Sequence, residues 1–276
     1  MNECIFPSIT EEEQRLPFYI TSAGGWDNQE PMRREEGYPD FQWIQTMNGT
    51  GLLRVSGKEF AVTQGEGMFL LPNETHEYVP VDKPWEVRWV AFNGEQAHPL
   101  LAAMDMKESK VMRISNPDRL LQHMHAVVRL LRSADPMRGF LCSALMYQII
   151  VDLFIHASPA EVRSKRQHYE QLAPALRFVE ERYGEPLTLA MLADCMQLSP
   201  QYVCLLFQKT MGLRPFEYVA QVRMSKAKEM LLNDPDMDVK EVARQVGYDH
   251  SSYFIKLFKE MEGITPTAFR KIHKIR

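Results

Sequence analysis

The sequence is poor in the features that mark several common protein classes. It has four scattered cysteines, Cys4, Cys142, Cys195 and Cys204. None forms a Cys-x-x-Cys pair, which argues against a disulfide framework or a zinc knuckle and fits a reducing cytoplasm. No apolar run approaches the ~20 residues of a membrane span, and the acidic first residues lack the apolar stretch of a secretory signal. We therefore expect a cytoplasmic protein that does not span a membrane.

Motifs of catalysis are also missing. We find no nucleophile motif and no glycine-rich loop of the kind that cradles a phosphate. His76 is followed by Glu77 and Tyr78 rather than by the second histidine of a His-x-His pair, and the next histidine, His98, lies well beyond it. Three or four convergent ligands are therefore not available to a metal ion. The sequence predicts no catalytic residue, no metal site and no cofactor.

Length and charge divide the chain in two. Its 276 residues exceed what one ordinary core usually holds, so two domains are expected. From residue 163 to the end, 18 Lys and Arg oppose 14 Asp and Glu, a balance of +4, which leaves −8 for the rest of the total of −4. A modestly basic C-terminal part favours a polyanion as partner, although an ordinary solvated surface explains the same balance.

Short β-strands are predicted in the N-terminal part. Between Phe41 and Phe92, apolar-rich segments are bounded by Gly, Pro or Asn, which is typical of a small barrel or sandwich. Ser56-Gly57 is predicted to be a hairpin turn. Further along, the apolar spacing becomes helical, and helices are predicted to start at Asn116-Pro117 and Asp135-Pro136.

The second of these helices is apolar almost all round, so we expect it to be buried on more than one side. Packing on both the barrel and a second subunit would satisfy that, and burial within its own domain is the alternative. We assign residues 1–157 to one domain, with the barrel at about 1–95 and the helices at about 116–157. A polar linker is predicted at 158–168, and a helical domain follows at 169–276.

An internal repeat occupies the C-terminal part. Five pairs of residues match at a constant offset of 51: Tyr202/Tyr253, Leu206/Leu257, Phe207/Phe258, Gly212/Gly263 and Pro215/Pro266. Three pairs further upstream match at an offset of 50: Leu189/Val239, Leu192/Val242 and Ala193/Ala243. The slip of one residue falls where a turn is expected, and insertions collect in turns. Each copy is predicted to be a helix-turn-helix, whose second helix can enter a DNA major groove.

Local signals set the ends of these helices. Asp238 is predicted to cap the first helix of the second copy, and Asp249 or Ser251 the second. The matched glycines are predicted to end the two reading helices, and the prolines after them to open the next helix. One helix of ~20 residues, Arg214–Pro235, is predicted to join the copies.

Together these residues resemble the AraC/XylS family of bacterial transcription regulators. The likeness covers about Tyr169–Lys274 and includes Arg223-Met224, Ala227, Leu231, Val242-Ala243, Val246-Gly247-Tyr248, Tyr253-Phe254, Phe258 and Gly263-Ile264-Thr265-Pro266. It implies two helix-turn-helix units, joined by a long helix, that bind double-stranded DNA. The resemblance places base contacts on Gln201, Cys204 and Leu205 in the first reading helix. In the second it places them on Ser251, Ser252, Ile255 and Lys256.

The chemistry of these side chains differs. Gln201 can bond an adenine edge and Lys256 a guanine or a phosphate, whereas Cys204 and Leu205 can only touch a thymine methyl. Core packing is the alternative for Leu205. Candidate phosphate contacts, each with simple solvation as its alternative, are Lys209, Lys259, Arg214 and Arg223. Helical spacing predicts a buried stripe of Tyr202, Leu206, Phe207, Tyr253, Leu257 and Phe258.

More loosely, residues 48–94 resemble the cupin-like effector domain of the same family. In sugar-responding relatives an Arg, a Tyr and a Trp hold the sugar, and these fall on Arg34, Tyr78 and Trp89. Relatives carry a His two residues before that Trp, where this chain has Val87, so the same sugar need not bind. The same mouth is predicted to be lined also by Trp26, Tyr38 and Trp43.

The resemblance implies a ligand-responsive transcription regulator of the α+β class, with a cupin-like barrel, appended helices and an all-α DNA-binding domain. We predict an activator whose barrel binds a small effector, with sugars as the predicted class. Further predicted partners are a second copy of the chain, through the helices at about 116–157, and RNA polymerase. Two alternatives stay open, a barrel that senses nothing and serves only dimerisation, and a metal-dependent cupin enzyme with a DNA-binding tail.

Overall fold

The structure is a computed structural model that describes residues 2–159 and 164–273. These residues form two compact units, divided between Arg166 and Gln167. The first unit combines an antiparallel sheet with helices and the second is helical, so the predicted α+β class is confirmed. Within the predicted linker, residues 160–163 lie outside the described residues. On either side of them, Ser158 belongs to a short strand and a helix begins at Lys165.

The first unit is built on one antiparallel sheet. Its strands are β1 (Glu3–Ile5), β2 (Tyr19–Trp26), β3 (Met32–Arg34), β4 (Phe41–Val55), β5 (Lys58–Val62), β6 (Glu66–Leu70), β7 (His76–Asn93), β8 (Lys110–Ile114) and β9 (Ala157–Ser158). Their hydrogen-bonded order is β1-β2-β7-β4-β6-β8-β9, with β3 on β7 and β5 on β4. Over the described residues no hydrogen-bonded pair joins the two ends of this order, and the sheet curls around an interior that includes Ile44, Tyr78 and Trp89.

Each long strand contributes to two different cores. In β4, Trp43 packs in the core shared with the helices, whereas the next residue, Ile44, packs with Trp89 inside the curl. Successive side chains of a strand point to opposite faces, so an apolar run such as this one needs cover on both sides. The register of β4 against β7 shifts at three places between Thr46 and Gly51. Bulges of this kind let long strands bend.

The turn between β4 and β5 is the predicted hairpin. Val55 pairs with Lys58, which leaves a loop of the two residues Ser56 and Gly57. Both have positive φ, 50° and 71°, as a type I′ turn requires. Glycine adopts this backbone without strain, which explains its place at the second loop position.

The described part of the first unit also contains four helices. They are α1 (Glu11–Gln14), α2 (Ala97–Ala103), α3 (Pro117–Arg132) and α4 (Arg138–His156). Of these, α3 and α4 pack against strands of the sheet. Helix α3 begins at the predicted proline. Helix α4 begins at Arg138 rather than at Asp135-Pro136, because the Asp135 carboxylate accepts a hydrogen bond from the backbone N–H of Met137, 2.8 Å away, and holds a turn before the helix.

Helix α4 is long and apolar enough to cross a membrane by length and composition, with a mean hydropathy of 1.6. The expectation that no segment approaches a membrane span is wrong for this helix. A core helix of a folded domain passes the same test, and α4 has eight buried residues and packs against α3 and strands of the sheet. Its buried Asp152 pairs with Arg119 and His123 of α3, each at 2.9 Å. We therefore assign it to the core of the first unit.

The second unit contains the helices α5 (Lys165–Arg182), α6 (Leu189–Met196), α7 (Pro200–Met211), α8 (Pro215–Asn233), α9 (Val239–Gln245), α10 (Ser251–Glu262) and α11 (Pro266–His273). One core lies under α6 and α7, and a second lies under α9 and α10. Helix α8 supplies Val219 and Val222 to the first core and Ala227 and Leu231 to the second. The joining helix is therefore anchored in both helix-turn-helix units.

The two copies share their helix ends. Gly212 and Gly263 end α7 and α10 in the left-handed conformation, with φ of 70° and 78°, and α8 and α11 start at the predicted prolines. The left-handed residue before each reading helix is Gln197 in the first copy and Gly247 in the second. These are 50 residues apart, whereas the N-caps Ser199 and His250 are 51 apart. The extra residue therefore lies in the turn, as predicted.

Candidate DNA interface and effector cavity

The first reading helix, α7, presents the predicted base-contacting residues to solvent. Gln201, Cys204 and Leu205 are exposed, while Val203 and Phe207 on the opposite face are fully buried. Leu205 is 60% exposed, which excludes the core-packing alternative. The prediction that Tyr202 is a core residue is wrong, since it is 38% exposed. It lies at the edge of the buried stripe.

The second reading helix, α10, has the same arrangement with different chemistry. Ser252, Ile255, Lys256 and Lys259 are exposed, and Ser251 is half-buried at the first position of the helix. The Lys256 ammonium lies 3.8 Å from the Glu260 carboxylate, and both side chains are exposed. A surface pair of this kind contributes little to stability and can be exchanged for a DNA partner.

One core prediction for α10 is wrong. Phe254 and Phe258 are buried as expected, but Tyr253 is 58% exposed and rests its ring against Tyr248, with centroids 5.9 Å apart. Tyr253 also lines an open apolar groove of about 800 Å³, to which Cys204 and Leu205 of α7 contribute. The groove therefore joins the exposed apolar side chains of the first reading helix to Tyr253 of the second.

The N-caps of the second copy match the predictions only in part. The Asp238 side chain accepts a hydrogen bond from the backbone N–H of Lys240 at 3.3 Å and caps α9 as predicted. Neither Asp249 nor Ser251 caps α10, because the N-cap residue is His250, which makes no side-chain capping bond. In the first copy, Ser199 caps α7 through the N–H of Tyr202 at 3.2 Å.

Basic residues around the reading helices divide into free and engaged groups. Lys209, Lys259 and Arg214 are exposed, as a contact to a phosphate requires. Arg223, predicted as a fourth candidate, instead donates to the carbonyl oxygens of Tyr183 and Glu185, at 2.8 and 2.9 Å. Its guanidinium also lies over the Tyr248 ring, 5.1 Å from the centroid. Arg223 therefore holds backbone segments of the domain together, a role that its charge alone did not reveal.

The interior of the curled sheet contains a cavity of about 160 Å³. All three predicted effector residues line it, Arg34 from β3 and Tyr78 and Trp89 from β7. Trp26 and Tyr38 line it as well, as predicted. Trp43 does not, because its side chain points to the other face of β4 and is fully buried in the core under the helices.

Several further lining residues were not predicted. They are Cys4, Phe6, Ser22, Gln29, Met32, Gln42 and Ile44. Gln42 and Ile44 are two residues apart on β4, so their side chains share the face that looks into the cavity. The sequence carried one signal for this, since Gln42 is a polar residue inside an otherwise apolar strand. No signal distinguished the cavity face from the core face.

Aromatic rings and one cation set the chemistry of the cavity. Trp26 and Trp89 lie with their ring centroids 5.7 Å apart, and the Arg34 guanidinium lies 5.1 Å from the Tyr38 centroid. Burial raises the pKa of Tyr78 to about 12, against a smaller opposing effect of the Arg34 charge. The Tyr78 hydroxyl therefore keeps its proton at neutral pH and can donate it in a hydrogen bond.

His76 lies next to this cavity without forming a metal site. Its Nδ1–H donates to the Glu74 carbonyl oxygen at 2.8 Å, and burial lowers its pKa, so the imidazole is neutral. Within the described ranges, no three His, Cys, Asp or Glu side chains group closely enough to hold a metal ion. The His76 ring stacks on the Tyr78 ring, with their centroids 6.0 Å apart, which suits a packing role for this histidine.

Comparisons with known proteins agree with this architecture. The sequence model of an AraC-like ligand binding domain matches residues 20–150, and that of a helix-turn-helix domain matches residues 192–272. The Msm operon regulatory protein of Streptococcus mutans is 25% identical over 231 residues, which cover 82% of each chain. The MmsAB operon regulatory protein of Pseudomonas aeruginosa is 25% identical, with 92% of this chain and 82% of that protein covered. The lactose operon transcription activator of Staphylococcus xylosus is 24% identical, with 86% and 89% covered.

These relatives are regulators of operons rather than enzymes, so the metal-dependent enzyme has no support among them. Their similarity covers more than four fifths of this chain and therefore extends over both units. The exposed reading helices and the lined cavity are the candidate surfaces for DNA binding and ligand binding. The chain therefore belongs to the AraC family of transcriptional regulators, with a ligand-binding domain followed by a helix-turn-helix DNA-binding domain.

Proposed function

We propose that this regulator activates a carbohydrate operon when a sugar occupies the cavity of its first unit. The observation that carries the proposal is the lining of that cavity, where Arg34, Tyr78 and Trp89 converge. The relative from Staphylococcus xylosus, named as a lactose operon activator, supports both the activating role and the ligand class.

The cavity chemistry suits a sugar. A guanidinium donates to neighbouring hydroxyls in pairs, and the flat faces of Trp26 and Trp89 can stack on the apolar CH groups of a sugar ring. A volume of about 160 Å³ is small, since a water molecule takes about 30 Å³. The buried part of the effector is therefore one small ring, and any further ring of a longer saccharide extends to the mouth.

A binding screen tests the sugar proposal. Full-length protein is heated with a panel of monosaccharides and oligosaccharides, and a bound sugar raises the unfolding temperature because it binds only the folded state. Arg34→Ala should abolish the shift. Arg33→Ala is the matched control, because Arg33 is exposed on the same strand, pairs with Glu35 at 3.2 Å and does not line the cavity. A wild-type protein that responds to no compound would favour the barrel that senses nothing.

For DNA we propose unequal reading by the two helices. In the second reading helix, Ser251, Ser252 and Lys256 would bond base edges and Ile255 would contact a thymine methyl, with Lys259 on a phosphate. In the first, Gln201 would bond an adenine edge, while Cys204 and Leu205 would make only apolar contacts. Helix α8 has 19 residues and hence a length of ~28 Å. That length suits two reading helices in major grooves ~34 Å apart.

Dimerisation is proposed through α4. Outward residues recur at spacings of four and three, starting at the N-cap Met137 and continuing along the helix with Leu141, Ala144, Gln148, Val151 and Ile155. The first four are exposed and the last two half-buried, and this spacing is that of a two-helix coiled-coil seam, in which one polar residue such as Gln148 can set the register. Leu141→Glu should shift the sedimentation of the full chain from dimer to monomer, and Gln122→Glu on α3 should not. A wild-type protein that sediments only as a monomer, with and without DNA, would contradict the proposal.

RNA polymerase is the remaining proposed partner, because an activator must raise initiation at its promoter. Transcription with purified polymerase, a template carrying the cognate site and this protein as the only regulator tests it. We expect more transcript when the effector is added. A decrease of transcript would show that the protein represses.

A further inference from the structure

We propose that Gln42 is a specificity-determining residue of the cavity, whose side-chain carbonyl oxygen accepts a hydrogen bond from a hydroxyl group of the effector. The inference rests on the proposed function, since it takes the cavity to be the effector site. It adds a requirement that the three predicted residues do not impose. The effector must carry a hydroxyl group that points to β4.

The first observation is an unpaired acceptor inside the protein. The Gln42 side chain is only 6% exposed, and its Oε1 is buried with no hydrogen-bond partner among the described residues. The large majority of buried side-chain polar atoms in folded proteins are paired. An unpaired buried oxygen weakens the fold, so its persistence at a cavity wall indicates that a ligand completes it.

The other buried glutamines of the first unit make structural hydrogen bonds through their amide nitrogens. Gln29, which also lines the cavity, donates through Nε2 to the carbonyl oxygen of Glu30 at 2.7 Å. Gln45, on the face away from the cavity lining, donates through Nε2 to the carbonyl oxygen of Glu66 at 3.0 Å, although its Oε1 is also buried without a partner among the described residues. Each of these amides ties a backbone segment. Gln42 differs from both, because its unpaired carbonyl oxygen belongs to a side chain that lines the cavity.

The surrounding groups decide which donor fits. Among the described residues that line the cavity, Arg34 carries the only formal charge and no carboxylate is present. A cationic amine would therefore meet a guanidinium and nothing to balance its charge. A simple anion would satisfy Arg34 but has no proton for Gln42. A hydroxyl group can donate to Gln42 while neighbouring hydroxyls accept from Arg34 and from the Tyr78 hydroxyl.

These requirements select a neutral polyhydroxylated ring. Gln42 and Ile44 are neighbours on the cavity face of β4. A ligand hydroxyl bonded to the Gln42 amide therefore places the adjoining part of the ligand against the apolar Ile44 side chain. The tryptophan pair offers further apolar surface to the same ligand. A buried site built to bond a hydroxyl strongly rejects an analogue that lacks it, because the site is then left unpaired.

The test compares three variants of the full-length protein, Gln42→Leu, Gln29→Leu and Arg34→Ala. The first readout needs no ligand. Since Oε1 of Gln42 has no partner to lose, Gln42→Leu should unfold at the same denaturant concentration as wild type or at a higher one. Gln29→Leu should unfold at a lower one, because it leaves the Glu30 carbonyl without its donor.

The second readout is calorimetric binding of the tightest monosaccharide from a panel of pentoses and hexoses, and of its singly deoxygenated analogues. Gln42→Leu should weaken binding of that sugar by ~10-fold. For wild type, removal of one particular hydroxyl should cost a similar factor, and Gln42→Leu should no longer distinguish that analogue from the parent sugar. Loss of this one discrimination is a signature that general damage to the cavity does not give.

Failure of the inference and failure of the proposed function are distinguishable. If Gln42→Leu lowers stability without ligand, the amide is structural and the inference is wrong. If Gln42→Leu binds every analogue as wild type does while Arg34→Ala abolishes binding, the sugar site stands and the role of Gln42 is wrong. If wild type binds no sugar, the proposed function fails and the inference falls with it.

Discussion

The two helix-turn-helix units differ where they meet solvent and agree where they are buried. Phe207 and Phe258, at matched positions, are both fully buried. At the matched positions 205 and 256, by contrast, the first helix-turn-helix copy exposes a leucine and the second copy exposes a lysine. The same helix-turn-helix backbone can therefore carry two different surfaces, because its stability depends on the buried stripe and its proposed DNA contacts lie on the exposed face. A shared fold in one chain therefore does not imply shared recognition.

The largest test of this comparison concerns the matched cores. Phe207→Ala and Phe258→Ala should each destabilise the second unit by ~3–5 kcal/mol, because each leaves a cavity under a reading helix. Phe207 belongs to the core of α6 and α7, and Phe258 to that of α9 and α10. Denaturant unfolding measures the loss, and amide hydrogen exchange locates it.

Each substitution should reduce protection mainly in its own helix pair. Tyr202→Ala is the control on α7, since that ring is partly exposed and its loss should cost much less. Equal loss of protection over both helix pairs in both variants would show a single cooperative core, and the distinction between two cores would then be wrong.

The second test concerns the reading surfaces. Lys256→Ala should weaken binding to the cognate site by ~1–3 kcal/mol if the lysine bonds a guanine, and specificity should relax at one base position. Leu205→Ala, at the matched position, should change affinity far less, because an apolar contact to a thymine methyl carries no hydrogen bond. Quantitative gel-shift titrations on the cognate site and its single-base variants measure both.

Salt dependence separates the two roles of Lys256. If affinity for cognate and random DNA falls equally, and the slope of affinity against salt drops by about one ion, Lys256 contacts a phosphate instead. Leu205→Lys adds a positive charge to the first reading helix and should make that slope steeper. An unchanged slope in this variant would place position 205 away from DNA.

Features set by local interactions were predictable from the sequence. The Ser56-Gly57 turn, the Asp238 cap and the two helix-ending glycines each depend on one or two neighbouring residues, and the structure has them where expected. The repeat was also visible, because two copies of one unit must bury the same stripe. The start of α4 was missed, since Asp135 caps a turn before the helix rather than the helix itself.

The site residues were harder, for reasons of geometry. Residues 41–46 of β4 are buried on both faces, so alternation does not say which side holds the cavity, and Trp43 was assigned to the wrong face. Gln42 was missed because an isolated glutamine gives no sign of whether its oxygen is paired. Arg223 was misjudged because charge does not show that its guanidinium already binds two carbonyl oxygens. Tyr253 has the spacing of a core residue yet lies at the edge of the stripe.

The third test concerns the starts of the reading helices. Ser199→Ala should cost ~1 kcal/mol of stability, because the serine oxygen accepts from the Tyr202 N–H. His250→Ala, at the matched position, should cost no capping energy, since His250 makes no side-chain capping bond. His250→Ser should instead stabilise α10 by a similar amount if the serine adopts the cap geometry. Thermal unfolding of the three variants decides, and an equal loss in Ser199→Ala and His250→Ala would contradict the assigned caps.

The smallest test concerns an ion pair that the first copy lacks. Arg244 donates two hydrogen bonds to Glu241 on α9, at 2.6 and 2.9 Å, and Gln245 donates a third, so the pKa of Glu241 falls from its ordinary 4.5 to about 2. A carboxyl group whose pKa is lowered on folding stabilises the folded state at pH values above its ordinary pKa. This contribution is lost as the pH falls from about 4.5 towards 2.

On α6, the positions that match Glu241 and Arg244 are Met191 and Asp194, which cannot form this ion pair. Low pH should therefore weaken α9 through the loss of the pair and should have no such effect on α6. Both partners on α9 are exposed, so the effect on stability should be slight and best seen in the titration itself. Carboxyl chemical shifts should show that Arg244→Ala raises the pKa of Glu241, whereas Lys240→Ala, which removes a neighbouring charge and no hydrogen bond to Glu241, leaves it low. If Glu241 titrates alike in both variants, the ion pair does not persist in solution. The second helix-turn-helix copy would then differ from the first only in its reading surface and its cap.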